Sequence, residues 1–260
     1  MCMLLIPSMS HAEKFERILA LSPHVCEMLY AIGAASQIVG AVSYCDYPAD
    51  AQALPRIGSY QGINIEAALR LKPDIAIVIN KHVKGVMQLK KMGIKIITSN
   101  PQSFDDIFHD ILALGELTGH QLEAVTLIRQ QRIRLKRIRQ KVMSQHRVFY
   151  ELWPDPLLTI GKPSFINALI HEAGGHNVFS NIPLETPHVN IESVIKAQPD
   201  IIIIPLEKRS MQERQLFWEK WFGKKHVRFA SINPDLLHRP GPRLIDGLET
   251  LQQILNKRYP

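Results

Sequence analysis

Two stretches of this 260-residue chain are copies of one pattern. Asn64–Asn80 reads NIEAALRLKPDIAIVIN and Asn190–Leu206 reads NIESVIKAQPDIIIIPL; each position of the second stands 126 after its counterpart, and seven of 17 are identical. Both run from Asn-Ile-Glu through a short helix to Pro-Asp and an apolar strand rich in β-branched residues. Self-similarity at a fixed offset means that one supersecondary unit is built twice. The strands Ile75–Ile79 and Ile201–Ile204 have no polar side chain to turn toward water. They are buried on both faces, as in parallel sheets covered by helices.

The rest of the chain alternates in the same way. Arg17–Leu21, Ile38–Val42, Lys95–Ser99, Val148–Leu152 and Val227–Ser231 read as further strands. Ser22 and Pro23 supply an N-cap and a first-turn proline for a helix over 24–33. Glu66–Leu71, 81–92 (closed by Gly93), Ser164–Ala173 and Arg243–Leu255 read as helices. Ser103 caps another through Leu117, with Asp106 at the capping-box position. From Gln121 to Ser144 there is no Gly or Pro, and Val125, Ile128, Leu135, Ile138 and Val142 keep helical spacing. The expected fold class is α/β: two similar lobes with mainly parallel sheets, joined by one long backbone helix. The expected domains are an N-terminal lobe over 13–120, the helix over 121–145 and a C-terminal lobe over 146–260. Residues 1–12, MCMLLIPSMSHA, read as the remnant of a signal peptide, with small residues placed for cleavage, and so point to export.

The formal net charge of +7 is local in origin. Residues 129–147 hold eight Lys/Arg and no acid, leaving about −1 for the rest. Aromatic interleaving is missing there, so nucleic-acid binding is not expected. The segment reads as a solvated helix face, with membrane head groups as the next candidate. No run of 18 apolar residues marks a membrane span. The cysteines are Cys2, Cys26 and Cys45. None forms a CxxC pair, an odd count does not suggest a disulfide framework, and Cys26 reads as a buried thiol. No GxSxG, P-loop, GxGxxG or HExxH is present, so no catalytic residue is assigned.

Ligands of open α/β sheets bind beyond the carboxyl ends of the strands. Those positions hold Ser22-Pro23-His24, then Ser43, Tyr44, Asp46 and Tyr47, then Trp153 and Asp155, and finally Asn233, Asp235, His238 and Arg239. The loops before the repeats add Tyr60 and Thr186-Pro187-His188. This set suits a large planar amphipathic ligand. Tyr47, beside Pro48, reads as a core tyrosine; Tyr60, flanked by Gly58, Ser59, Gln61 and Gly62, reads as ligand-facing. His24, His188 and His238 would hold a metal only if they converged, and no ligand spacing links them, so no metal is expected. Arg239 either pairs with an acid of the fold or holds a ligand phosphate or amide. Glu66 and Glu192 occupy the third position of each Asn-Ile-Glu. There they suit the helix dipole, and as a matched pair they suit docking on a two-fold symmetric partner that carries basic residues.

With these residues in view, the chain resembles the periplasmic cobalamin-binding proteins of ABC importers, in the helical-backbone class of substrate-binding proteins. The resemblance rests on ILALSPHVCEMLYAIG, VSYCDYPADAQ, IGSYQGINIEAALRLKPDIAIVI, TIGKPSFINALIHEAGGHNVF, PHVNIESVIKAQPDIIII and NPDLLHRPGPRLIDGLETL. It implies a monomeric periplasmic receptor, with a cleft between the lobes and no catalysis. Cobalamin or a related corrinoid would be the transported ligand rather than a cofactor. Haem, a ferric siderophore or a metal ion would be the alternative cargo on the same fold. The implied ligand contacts are Tyr44, Tyr60, Leu152, Trp153, Thr186 and the loop Asp235, Leu236, Leu237, His238 and Arg239. Glu66 and Glu192 would meet arginines of the permease dimer. Tyr60 and Thr186 stand where tryptophan is familiar in the family, Leu152 where phenylalanine is, and Ala173 where a disulfide cysteine is.

Overall fold

The first sheet is built from β1 (Ile18–Leu21), β2 (Ile38–Val42), β3 (Arg56–Ser59), β4 (Gly62–Ile63), β5 (Ile75–Val78) and β6 (Lys95–Thr98). Its order is β4-β3-β2-β1-β5-β6, parallel throughout except for the β3–β4 hairpin. Helices α1 (Pro23–Ala31), α2 (Ile65–Arg70), α3 (Val86–Lys91) and α4 (Phe104–Thr118) accompany it, and α5 (Gln121–Gln140) follows. The computed structural model describes residues 14–59, 61–141, 145–205, 208–223 and 227–257. The chain divides into two units between Arg129 and Gln130, within α5. The segment 1–12 lies outside the described residues.

The second unit contains β7 (His146–Tyr150), β8 (Trp153–Pro154), β9 (Leu157–Leu158), α6 (Phe165–Glu172), β10 (Gly175–Asn177), α7 (Ile191–Lys196), β11 (Ile201–Ile204), α8 (Lys208–Phe222), β12 (Arg228–Ser231), α9 (Asp235–His238) and α10 (Leu244–Asn256). Its main sheet, β10-β7-β11-β12, is wholly parallel, and β8 and β9 form a separate hairpin.

The repeat in sequence is a repeat in structure. Ile75 pairs with Ile18 in the first sheet, and Ile201 with Val148 in the second. Asn64 Oδ1 accepts the Ala67 N–H at 3.0 Å, and Asn190 Oδ1 the Ser193 N–H at 2.8 Å, so both repeat helices are capped alike. Both helices end at a residue of positive φ, Lys72 (45°) and Gln198 (44°). The freed carbonyls are taken by an arginine at the start of the neighbouring strand. Arg17 Nη2 donates to Leu71 O and Arg147 Nη2 to Ala197 O, each at 2.6 Å. The Pro-Asp carboxylates return the contact: Asp74 accepts the Arg17 N–H at 3.0 Å and Asp200 the Arg147 N–H at 2.7 Å. These bonds tie each helix–strand unit to the strand beside it, in the same register both times.

Several elements differ from the sequence reading. The helix expected over 81–92 is shortened to α3, because Gly85 at its N-cap holds a left-handed φ of 98°. Ser22 precedes α1 but makes no capping hydrogen bond; Pro23 alone sets the start. The strand expected over Val148–Leu152 ends at Tyr150, where the chain turns into the β8–β9 hairpin. The β3–β4 hairpin, β10 and α8 have no counterpart in that reading. Met211, Arg214, Phe217, Trp218 and Trp221 do carry helical spacing along α8. Tyr47 is not a core residue: it lies in the loop after β2, before a cis Tyr47–Pro48 bond, and its side chain is exposed.

The largest correction concerns cysteine. Cys26 is not a free thiol; it is bonded to Cys45, with Cα atoms 5.9 Å apart. Parallel pairing of β1 with β2 sets the first turn of α1 beside the turn that follows β2 and carries Cys45, and counting cysteines could not reveal that proximity. The bond closes a loop across a separation of 19 residues. Replacing both cysteines by alanine is expected to lower unfolding stability by about 3 kcal/mol. Denaturant titration of the variant under oxidising conditions measures this, and reductant should lower wild-type stability similarly.

His24 is buried, and its Nε2 lies 3.1 Å from Ser99 O and 3.0 Å from Ser99 Oγ. Ser99 Oγ in turn donates to Asp110 at 2.6 Å. Burial pushes the His24 pKa from 6.5 to about 4, against the pull of the Ser99 carbonyl. The unfolded chain therefore binds this proton at a higher pH than the folded one does. Unfolding stability should fall by about 3 kcal/mol as pH drops from 6.5 to about 4. His24→Asn should flatten that slope in a series of thermal or denaturant melts.

Candidate functional site

In the second unit the strand ends enclose a cavity of about 480 Å³. β7 delivers Glu151 and Leu152 to it, β8 and β9 add Trp153, Pro154 and Leu158, and β11 ends in Ile204 and Pro205. Pro234 and His238 close it from the α9 turn. The walls are almost wholly apolar, and Trp153 is half exposed at the mouth with its indole N–H donated to Asp155 O at 2.8 Å.

The charge at the floor is already satisfied. Glu151 is buried and takes both arms of Arg214 on α8, at 2.6 and 2.9 Å, together with the indole N–H of Trp218. Trp218 is itself buried edge-on to Phe149, with ring centroids 5.5 Å apart. The floor is thus an ion pair turned inward, and it presents little charge to an incoming molecule.

The wall formed by α9 is positioned by backbone contact. Any Cβ on Gly247 of α10 would meet Leu236 O at 2.4 Å, so glycine there lets α9 lie directly on α10. Gly161 plays the same part for the loop that carries Thr186, where Leu184 O would sit 2.0 Å from a Cβ. Tyr150 is buried, and its hydroxyl lies 2.9 Å from His238 Nε2. His238 keeps some exposure, yet desolvation by the protein around its ring lowers its pKa, outweighing Asp235. Burial raises the Tyr150 pKa above its ordinary value. At neutral pH both groups are uncharged, and the hydrogen bond between them orients the His238 ring.

Of the residues expected from sequence, Leu152, Trp153 and His238 come together around this cavity. Asp235 and Arg239 form an ion pair at 2.9 Å one turn apart, with Arg239 buried. Leu237 is buried against Gly247, and Leu236 lies partly buried on the same turn. Thr186 is exposed in a loop laid along β9, where Thr159 N donates to Pro187 O at 3.1 Å. His188 bridges Leu158 in the same loop. His24 is committed to Ser99. Among the described residues, no group of three His, Cys, Asp or Glu could hold a metal ion.

In the first unit, Tyr44 is exposed at the end of β2. Its loop is held on both sides, by the Cys26–Cys45 bond and by Arg56. The Arg56 guanidinium donates to Val42 O, Cys45 O and Ala51 O at 3.1, 2.8 and 2.9 Å. Tyr60 lies outside the described residues. Glu66 and Glu192 occupy corresponding exposed positions in the first turns of α2 and α7.

Residues 18–217 match the model of the periplasmic binding protein family. The chain belongs to that family. The vitamin B12-binding protein of Photorhabdus laumondii is 30% identical over 244 residues, which is 92% of this chain and 88% of the relative. The crystal structure of the periplasmic vitamin B12 binding protein of Vibrio cholerae superimposes with a TM-score of 0.80 at 29% identity, covering 94% of this chain and 99% of that one. A possible iron-binding, periplasmic solute-binding protein of Staphylococcus epidermidis superimposes with a TM-score of 0.81 at 27% identity, covering 94% and 100%.

The superposition on the Vibrio cholerae protein covers nearly the whole of this chain, and so takes in both of the α/β units read from the repeat. Sequence reasoning missed the depth of the second-unit pocket. Pro154, Leu158, Pro205 and Pro234 wall it, and Glu151 looked like the interior of a strand. The usable signal was the pairing of a lone acid in a β7 apolar run with an Arg-Gln-Leu-Phe-Trp helix downstream. Arg214→Ala would leave Glu151 buried and unpaired. It is expected to cost about 3 kcal/mol or more of stability, read as a lowered denaturation midpoint. Replacing Glu151 and Arg214 together by Gln and Met should cost less than Arg214→Ala alone.

Proposed function

We propose that this chain is an exported receptor that captures cobalamin or a related corrinoid and hands it to an ABC importer. The observation that carries the proposal is the second-unit cavity: apolar walls, an exposed tryptophan at the mouth and a floor whose only carboxylate is neutralised from below. A corrin is a broad macrocycle fringed with uncharged amides. Apolar and aromatic burial supplies its affinity, while oriented polar groups such as His238 meet its rim. Haem brings propionates, which call for cationic partners that this cavity lacks. The vitamin B12-binding names of the relatives support the same choice, and the possible iron-binding relative makes an iron compound the second reading.

The Cys26–Cys45 bond supports export, since disulfides persist in oxidising compartments such as the periplasm. No helix among the described residues is long and apolar enough to cross a membrane. The receptor acts as a monomer and performs no chemistry. Glu66 and Glu192 are the matched feet that meet basic residues of the permease, and that contact drives release.

Titration of the purified chain with cyanocobalamin, followed by tryptophan fluorescence, should show 1:1 binding with a Kd below about 1 µM. Trp153→Ala should weaken it about tenfold. Haem or a ferric siderophore binding more tightly than any corrinoid would overturn the choice of ligand. Glu66→Ala with Glu192→Ala should leave cobalamin affinity unchanged but reduce uptake by cells carrying the cognate importer by about tenfold or more. Unchanged uptake would remove the docking role.

A further inference from the structure

The long helix carries more cationic charge than the fold uses. Its inner face is fixed by the buried residues Ala124, Gln131, Leu135 and Ile138. Part of this charge is engaged by acids of the second unit. Arg134 holds Asp246 at 2.6 Å and Glu249 at 2.7 Å on α10, and Arg139 pairs with Glu172 on α6. Arg129, Lys136, Arg137 and Lys141 are exposed and have no acidic partner among the described residues.

Helical spacing puts Arg129, Ile133 and Lys136 in one line on the outer face, with Arg137 beside them. Ile133 is 45% exposed among these cations, and at the start of the helix Val125 and Leu122 are 54% and 81% exposed. The outward parts of these aliphatic side chains add apolar surface among the cations. The stripe from Arg129 to Lys141 runs about 18 Å along a straight helix and offers neither a concave pocket nor an aromatic anchor. That describes a surface that meets an extended, fluid array of negative charge, with aliphatic groups entering the head-group boundary.

We propose that the outer face of α5 binds the surface of an anionic phospholipid bilayer, which holds the receptor close to the membrane while it is free of its importer. The contact is electrostatic, so it weakens with salt and is reversible. Each basic residue near such a surface raises binding about fivefold. Capture and membrane attraction use different residues, so each can fail without the other.

The test is co-sedimentation of the full chain with vesicles. Equimolar phosphatidylglycerol and phosphatidylcholine vesicles should retain the protein at low ionic strength and release it at high salt, whereas pure phosphatidylcholine should not retain it. Arg129→Gln, Lys136→Gln and Arg137→Gln combined should reduce binding to the anionic vesicles about hundredfold. An unchanged melting temperature would show that this variant is folded. Ile133→Ser alone should reduce binding with no change in its salt dependence. Equal retention by both vesicle types, or retention of the triple variant at wild-type level, would overturn the proposal. So would binding to polyglutamate without binding to anionic vesicles, which would assign the stripe to an acidic protein.

Discussion

Each unit is organised around a strand with no polar side chain. Ile75–Val78 and Ile201–Ile204 are buried along their whole length and are paired in parallel on both sides. Such a strand can lie only at the centre of a helix-covered sheet, and it forces every functional side chain of its neighbourhood to the strand ends. The Pro-Asp that precedes it fixes where it starts. Asp74 and Asp200 bind the backbone of Arg17 and Arg147, and those arginines close off the preceding repeat helices. Register, helix ends and the position of the strand-end edge therefore follow from one short repeated segment.

Much of this was legible in the sequence because it is local. The repeat, the alternation of strand and helix and the Ser103 cap are matters of spacing within some twenty residues, and the strands Ile38–Val42 and Ile201–Ile204 fall where their patterns put them. What was not legible depends on distant residues meeting. The Cys26–Cys45 bond exists because β1 and β2 are neighbours, and Glu151 is a buried ion-pair partner because α8 crosses beneath it. Tyr47, which looked like core, is exposed because it lies in a loop five residues beyond the end of β2. The short hairpins were missed for another reason. Strands of two to four residues leave almost no periodicity to detect.

The candidate site shows the same division. Leu152, Trp153 and His238 follow strands whose positions could be read, and they do share one cavity. Arg239 was read as either a ligand contact or a partner of an acid, and it is paired with Asp235. The pocket's lack of a free charge could not be anticipated, because it depends on Arg214 and Trp218 satisfying Glu151 from below. With the carboxylate neutralised, the cavity favours a broad uncharged surface over a charged one, and that preference underlies the corrinoid reading.

Backbone hydrogen exchange with and without saturating cobalamin tests that reading most directly. The account predicts added protection in the second unit at the loops following β7, β11 and β12, around residues 152–158, 205 and 234–239. It predicts no change in the strands beneath them. Protection that left those loops untouched while cobalamin was bound would show that the cavity is not where the ligand sits.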